Sequence, residues 1–254
     1  MDSFYKAIRY HVENGIGRIL LNRPEKRNAL NQELIDELHH AVRDSAKDPA
    51  VRVVLLSGAG SDFCSGADLS GLQRAFNAGV LDQMADARGL ANLFQDMRRH
   101  PRPIVAAVRG RALAGGCGLA TACDIILAAE SAQFGYPEVN IGFVPAIVMA
   151  ILRRSVPEKR AFELITMGEI SSARDFGLVN QVFADETFDI DVDAYAQKMA
   201  AKSASALQLC KSLLYQMDGM SIESALEAGV QMNAIARMTD DCKRGVERFL
   251  KKST

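Results

Sequence analysis

Two glycine-rich stretches are the first candidates for chemistry in this chain. One reads Gly58-Ala59-Gly60-Ser61-Asp62-Phe63-Cys64-Ser65-Gly66-Ala67-Asp68-Leu69, the other Gly110-Arg111-Ala112-Leu113-Ala114-Gly115-Gly116-Cys117-Gly118. Glycine after a buried strand lets backbone approach a ligand closely, and N–H groups left exposed there can hold developing negative charge. Two such turns in one core suggest an oxyanion hole with two donors. The same glycines also serve ordinary turn geometry, so the turns alone leave both readings open. Other chemistries fail on spacing. A nucleophilic Ser65 would need G-x-S-x-G, but Phe63 stands two residues before it. A dinucleotide fingerprint would need glycine or alanine where Gly116-Cys117-Gly118-Leu119-Ala120-Thr121 has threonine. Cys64, Cys117, Cys123, Cys210 and Cys242 form an odd set without C-x-x-C, and His11, His39, His40 and His100 match no ligand spacing. Neither a disulfide framework nor a metal site is expected.

The turns need elements to hold them. Residues 51–57 and 103–109 are short β-branched runs that read as strands buried on both faces, each delivering one glycine turn that leads into helix. Before them, residues 7–12 and 16–21 flank Glu13-Asn14-Gly15, a strong hairpin signal. From Asn31, a plausible N-cap, Leu34, Leu38, Ala41 and Val42 recur at helical spacing until Pro49. A third apolar run at 124–129 leads to Gln133-Phe134-Gly135-Tyr136-Pro137-Glu138. Beyond Pro157 the pattern is mainly helical, with one further strand at 178–183.

The 254 residues can bury one sizeable core, and 30 basic against 31 acidic side chains leave a net charge of −1. That balance offers no field for gathering nucleic acid or an anionic membrane. The opening MDSFYKAIRYHV carries no signal-like apolar run, and no stretch reaches the roughly 18 apolar residues of a membrane span. The expectation is a cytoplasmic protein without nucleic-acid or membrane partners.

Four separated motifs agree in order and spacing with one family. They are Asn22-Arg23-Pro24-Glu25-Lys26-Arg27-Asn28-Ala29-Leu30; Phe63-Cys64-Ser65-Gly66-Ala67-Asp68-Leu69; residues 104–110 running on to Ala114-Gly115-Gly116-Cys117; and Cys123-Asp124-Ile125 followed by Phe134-Gly135-Tyr136-Pro137-Glu138. The chain resembles the enoyl-CoA hydratase/isomerase (crotonase) family. The resemblance implies an α/β fold, a spiral of ββα units over 1–190 with a C-terminal helical trimerisation region over 191–254, assembled as a homotrimer or homohexamer. It implies an acyl-CoA substrate, with coenzyme A entering as part of the substrate and no separate cofactor. The backbone N–H groups of Ser65 and Gly115 would hold the thioester oxygen, and Glu138 would move the proton. Substrate would lie along Lys26, Arg27, Ala29, Leu30, Gly66, Ala67, Asp68, Leu69, Gly116, Gly118 and Phe143, with Phe249, Lys251 and Lys252 reaching a neighbour's CoA.

Two departures from the family pattern bear on the reaction. Two-glutamate hydratases read G-G-C-E where this chain has Gly115-Gly116-Cys117-Gly118, and many carry a glycine-rich segment where this chain has Ile141-Gly142-Phe143-Val144-Pro145-Ala146-Ile147-Val148-Met149. Hydration is easiest to arrange with two carboxylates, whereas a lone base suffices to shuttle one proton between carbons. Asp124 does not replace the missing acid, being better read as a turn brace. The implied activity is therefore double-bond hydration or isomerisation with Glu138 alone. The alternative is a homologue that binds CoA thioesters without catalysis, or reacts them differently.

Overall fold

The computed structural model describes residues 5–68, 71, 73 and 77–252. Its backbone is a six-stranded sheet in the order β1-β2-β3-β4-β6-β9. Here β1 is Ile8–Glu13, β2 Ile16–Leu21, β3 Val53–Gly58, β4 Ile104–Val108, β6 Ile125–Ala129 and β9 Gln181–Phe183. Only the first pair is antiparallel. Its connection follows from local chemistry: Asn14 and Gly15 take φ of 52° and 80°, the left-handed pair that a two-residue hairpin needs. Parallel strands must be covered on both faces, and every residue of β4 is buried accordingly.

A second, three-stranded sheet has the order β5-β7-β8, formed by Arg111–Leu113, Gln133–Gly135 and Ile170–Ser172. Isolated parallel bridges extend it, Cys64 to Ala112 and Leu30 to Ala67. Both glycine stretches therefore leave the large sheet and cross into this smaller layer before their helices start. A strand in one sheet, a shorter strand in the other and a helix make the repeating ββα unit of the spiral.

Helix α1 (Gln32–Lys47) begins where the Asn31 side chain accepts a hydrogen bond from the Leu34 N–H at 3.0 Å. Its buried face, Leu34, Leu38, Ala41 and Val42, covers the sheet together with α2 (Val80–Arg99), which buries Leu93, Phe94 and Met97. Helix α3 (Gly115–Ala122) is buried along almost its whole length, and α4 (Ala146–Ser155) packs on it through Val148, Ile151 and Leu152. Pro145 stands at the N-cap of α4. Helix α5 (Glu158–Met167) packs against the 3-10 turn Pro137–Ile141.

The last four helices differ in burial. The expected boundary at 190/191 falls inside α6 (Phe188–Ala200), which adds Phe188, Val192 and Ala196 to the core. Helix α7 (Ala204–Gln216) is pinned by Lys211, whose buried ammonium donates to Asp124 at 2.7 Å and to the Met97 carbonyl at 2.9 Å. By contrast α8 (Ile222–Met238) buries none of its residues, and α9 (Asp240–Lys252) follows it. Among the described residues no helix is long and apolar enough to cross a membrane.

Candidate active site

The site is assembled where the glycine turns meet. A Cβ on Gly116 would stand 2.3 Å from the Cys64 carbonyl oxygen, so the second turn reaches the first only because this side chain is absent. Gly66 has φ 96°, and a Cβ there would lie 2.7 Å from the Ala114 Cβ and 3.5 Å from the Gly115 nitrogen. The Leu30 side chain closes the same corner, within 3.1 Å of where a Cβ on Gly115 would be.

Which N–H groups remain available follows from strand geometry, since successive backbone groups point to opposite sides. The Cys64 N–H is bonded to the Arg111 carbonyl on the β5 side, and the Ser65 N–H to the Arg27 carbonyl on the other side at 3.0 Å. The expectation that Ser65 supplies an oxyanion donor is thereby corrected, because its N–H is already engaged. Two residues on, the bridge between Leu30 and Ala67 runs through the Leu30 N–H to the Gly66 carbonyl and the Asp68 N–H to the Leu30 carbonyl. The Ala67 N–H takes no part and faces the other way, toward the second turn. No described residue accepts from the N–H of Ala67 or from that of Gly115, which opens α3 and lies outside its ladder. The helix dipole of α3 adds to the positive potential at Gly115.

Glu138 lies in the 3-10 turn Pro137–Ile141 directly after β7, and is only 8% exposed. Its Oε2 is buried without a hydrogen-bond partner among the described residues. Burial pushes its carboxyl up from the ordinary glutamate range, opposed in part by its own backbone N–H. The carboxylate is close enough to α3 to help hold the Cys117 thiol neutral, a thiol that burial chiefly raises to about 12. Tyr136, fully buried, fixes the residues before it through Thr121, whose hydroxyl lies 2.7 Å from the phenol oxygen.

The other expected residues fall into three groups. Ala29, Leu30, Gly66, Ala67, Gly115 and Gly116 are brought together around the two turns, held from below by Asn28, whose buried amide donates to the carbonyls of Ala59 and Asp62. Asp68 pairs with Arg23 at 3.2 Å beside them, while Lys26 and Arg27 are exposed at the rim. Phe143, 49% exposed, is tied to the Glu138 carbonyl through its N–H at 3.0 Å. Leu69 lies outside the described residues.

Gly118 is turned toward α4. Its backbone is ordinary helix, donating to the Ala114 carbonyl at 2.9 Å, but a Cβ there would be 2.4 Å from Cγ2 of Val148. In the sequence Val148 is one of a bulky apolar segment, 141–149, that could shape the acyl pocket or pack the core; the structure places it in the core against Gly118. Asp124 accepts from the Ile104 N–H, from Lys211 and from the Tyr215 hydroxyl, the arrangement of a brace.

Comparison with known proteins supplies the wider context. The model of the enoyl-CoA hydratase/isomerase family matches residues 11–254. A Thermus thermophilus protein provisionally named an enoyl-CoA hydratase is 40% identical, with 95% of this chain and 97% of that protein aligned. The 2,3-dehydroadipyl-CoA hydratase of Escherichia coli is 34% identical over 93% of this chain and 92% of its own length. The crystal structure of a Mycobacterium smegmatis enoyl-CoA hydratase superposes with a TM-score of 0.92 at 31% identity, covering 97% of both chains. The four motifs, the two-sheet spiral and these matches along nearly the whole length agree, and the chain belongs to the enoyl-CoA hydratase/isomerase family.

Proposed function

We propose that this chain is an acyl-CoA enzyme with a single acid/base residue: the N–H groups of Ala67 and Gly115 hold the thioester oxygen while Glu138 moves a proton on the acyl chain. The observation that carries the reading is Glu138 itself, a buried carboxylate whose Oε2 has no hydrogen-bond partner among the described residues. A buried acid usually finds partners, because an unpaired one costs free energy. Leaving one idle, in a chain whose two glycine turns also leave the N–H groups of Ala67 and Gly115 unengaged, is the arrangement of a site that waits for its substrate.

On a β,γ-unsaturated thioester the balance is simple. The Glu138 carboxylate removes an α proton; the C–H electron pair becomes a π bond between the α carbon and the carbonyl carbon, and the carbonyl π pair moves onto the thioester oxygen, where the two N–H groups receive the charge. The oxygen pair then re-forms the carbonyl, the α-carbon π pair shifts to between the α and β carbons, and the former β,γ π pair takes the proton back from Glu138 at the γ carbon. Each oxyanion donor is worth about 10²–10³ in rate and a positioned base about 10²–10⁴. Hydration needs, in addition, a water held at the β carbon, for which Gly118 supplies no carboxylate. Hydration remains the second reading because the named relatives above are hydratases.

Replacing Glu138 by glutamine tests the reading. Turnover should fall about 10²–10⁴-fold with acyl-CoA affinity nearly unchanged. A loss of binding with turnover per bound substrate intact would instead make Glu138 a structural residue.

Assembly as a trimer or hexamer belongs to the same proposal. Ile222, Leu226 and Val230 repeat along one face of α8 at 67%, 65% and 64% exposure, an apolar stripe that a second copy would cover. Light scattering that found a monomer at micromolar concentration would refute this part alone.

A further inference from the structure

In an α-helix residues three apart share a face, so Gly118 lies one turn beyond Gly115 on the side that meets α4. Nothing in its backbone demands glycine, because its φ is not in the left-handed region and its N–H makes the regular helical bond. What demands glycine is space. The two γ-methyls of Val148 stand 2.4 and 3.3 Å from the position of a Cβ, and Val148 is itself 3% exposed in a face shared with Ile151 and Leu152. Helix α4 holds Val148 in place through its other buried residues, Ile151 and Leu152. The absence of a side chain at 118 and the bulk at 148 thus form one complementary pair.

We infer that Val148 is a specificity-determining residue: its methyls turn the α3 side of the site into a dry apolar wall that admits neither a second carboxylate nor an attacking water. The substrates turned over are then thioesters whose reaction needs only one proton moved at carbon. This rests on the proposed role of Glu138. An apolar space of this kind does not hold water, which requires two or more polar partners. A carboxylate there would be buried against methyl groups without a donor.

The test follows one substrate into two products. A β,γ-unsaturated butenoyl-CoA is incubated with enzyme, and mass spectrometry reports the ratio of hydroxyacyl-CoA to conjugated enoyl-CoA. Wild type should release the conjugated product. Val148→Ala, which truncates a side chain and should fold, ought to keep the wild-type ratio, because the space it opens is still apolar and stays dry. Gly118→Glu alone should lose several degrees of thermal stability through overpacking, and Gly118→Glu combined with Val148→Ala should recover it and raise the hydroxyacyl-to-conjugated ratio about tenfold, since room and a carboxylate to hold water are then both present. A folded double variant with the wild-type ratio would overturn the inference. Glu138→Gln run in parallel separates the two levels. If it abolishes turnover while the double variant leaves the ratio unchanged, only the inference about Val148 fails; if it turns over like wild type, the underlying reading of the site fails.

Discussion

Asp124 and Glu138 are both carboxylates set beside buried strands, yet the surrounding chain treats them in opposite ways. Asp124 receives the Ile104 N–H, the Lys211 ammonium and the Tyr215 hydroxyl, so three donors from two elements, β4 and α7, converge on one charge. Glu138 is as dry, and its Oε2 receives nothing from the described residues. The neighbours register the difference. The Tyr215 phenol is pushed up, first by burial and then by the charge of Asp124, whereas the dominant influence on Glu138 is burial alone. A carboxylate engaged on both oxygens ties elements together and is committed to the fold. An idle one costs stability and is kept for something that arrives later.

The largest expected effects come from exchanging the two acids for their amides. Glu138→Gln should cost about 10²–10⁴ in kcat/KM, roughly 3–5 kcal/mol in transition-state stabilisation, and leave the unfolding midpoint near that of wild type. Asp124→Asn should do the reverse. It strands the Lys211 ammonium, which lies with Asp124 in a side-chain pair only 7% and 14% exposed, and should cost about 3–5 kcal/mol in denaturant unfolding. Turnover per folded molecule should persist. An Asp124→Asn enzyme that is stable but inactive would break the comparison.

A smaller effect sharpens the bracing side. His100 belongs to the region Lys211 pins, with Nε2 3.1 Å from the Ser45 hydroxyl and Nδ1 against the Arg102 backbone. Burial is the main cause that lowers its pKa to about 4. The folded chain therefore declines a proton that the unfolded chain takes up below about pH 6.5, and stability falls as pH drops from there toward 4. The loss should total on the order of 3 kcal/mol. His100→Gln should flatten that acid limb in urea titrations between pH 7 and 4, and an unchanged slope would assign the acid sensitivity elsewhere.

How much of this was legible in the sequence depended on the range of the interactions. The hairpin at Asn14-Gly15, the Asn31 cap and the buried runs are set within a few residues, and they stand within one to three residues of where periodicity placed them. β5, β7 and β8 are three residues each, too short to display a period: β5 lies within a glycine stretch, β8 within the part read as mainly helical, and β7 carries no element signal. Which N–H of Phe63-Cys64-Ser65-Gly66-Ala67 faces the second turn depends on the side from which Arg27 and β5 approach. The sequence therefore does not show that the Ser65 N–H is engaged by the Arg27 carbonyl. At Gly118 the sequence shows only that a carboxylate is absent; the constraint on a side chain there is Val148, distant in sequence and adjacent in space. Local rules found the elements, and tertiary contacts decided which of their atoms are free.

The smallest effect concerns what the idle carboxylate costs. Its raised pKa fixes the sign: below the ordinary glutamate value both folded and unfolded chains hold the proton, so burial adds no penalty for charge. As pH rises through the folded pKa, the folded state must keep an anion away from water that the unfolded state solvates freely, and stability falls. Glutamine keeps the shape and the polar atoms, with their unmet hydrogen bonds, but not the charge. Glu138→Gln should therefore match wild type in Tm near pH 4 and exceed it at pH 7.5. Calorimetry at the two pH values checks this directly. A variant less stable than wild type at pH 7.5 would mean that the Glu138 carboxylate is held by partners after all, and that the contrast with Asp124 is one of degree.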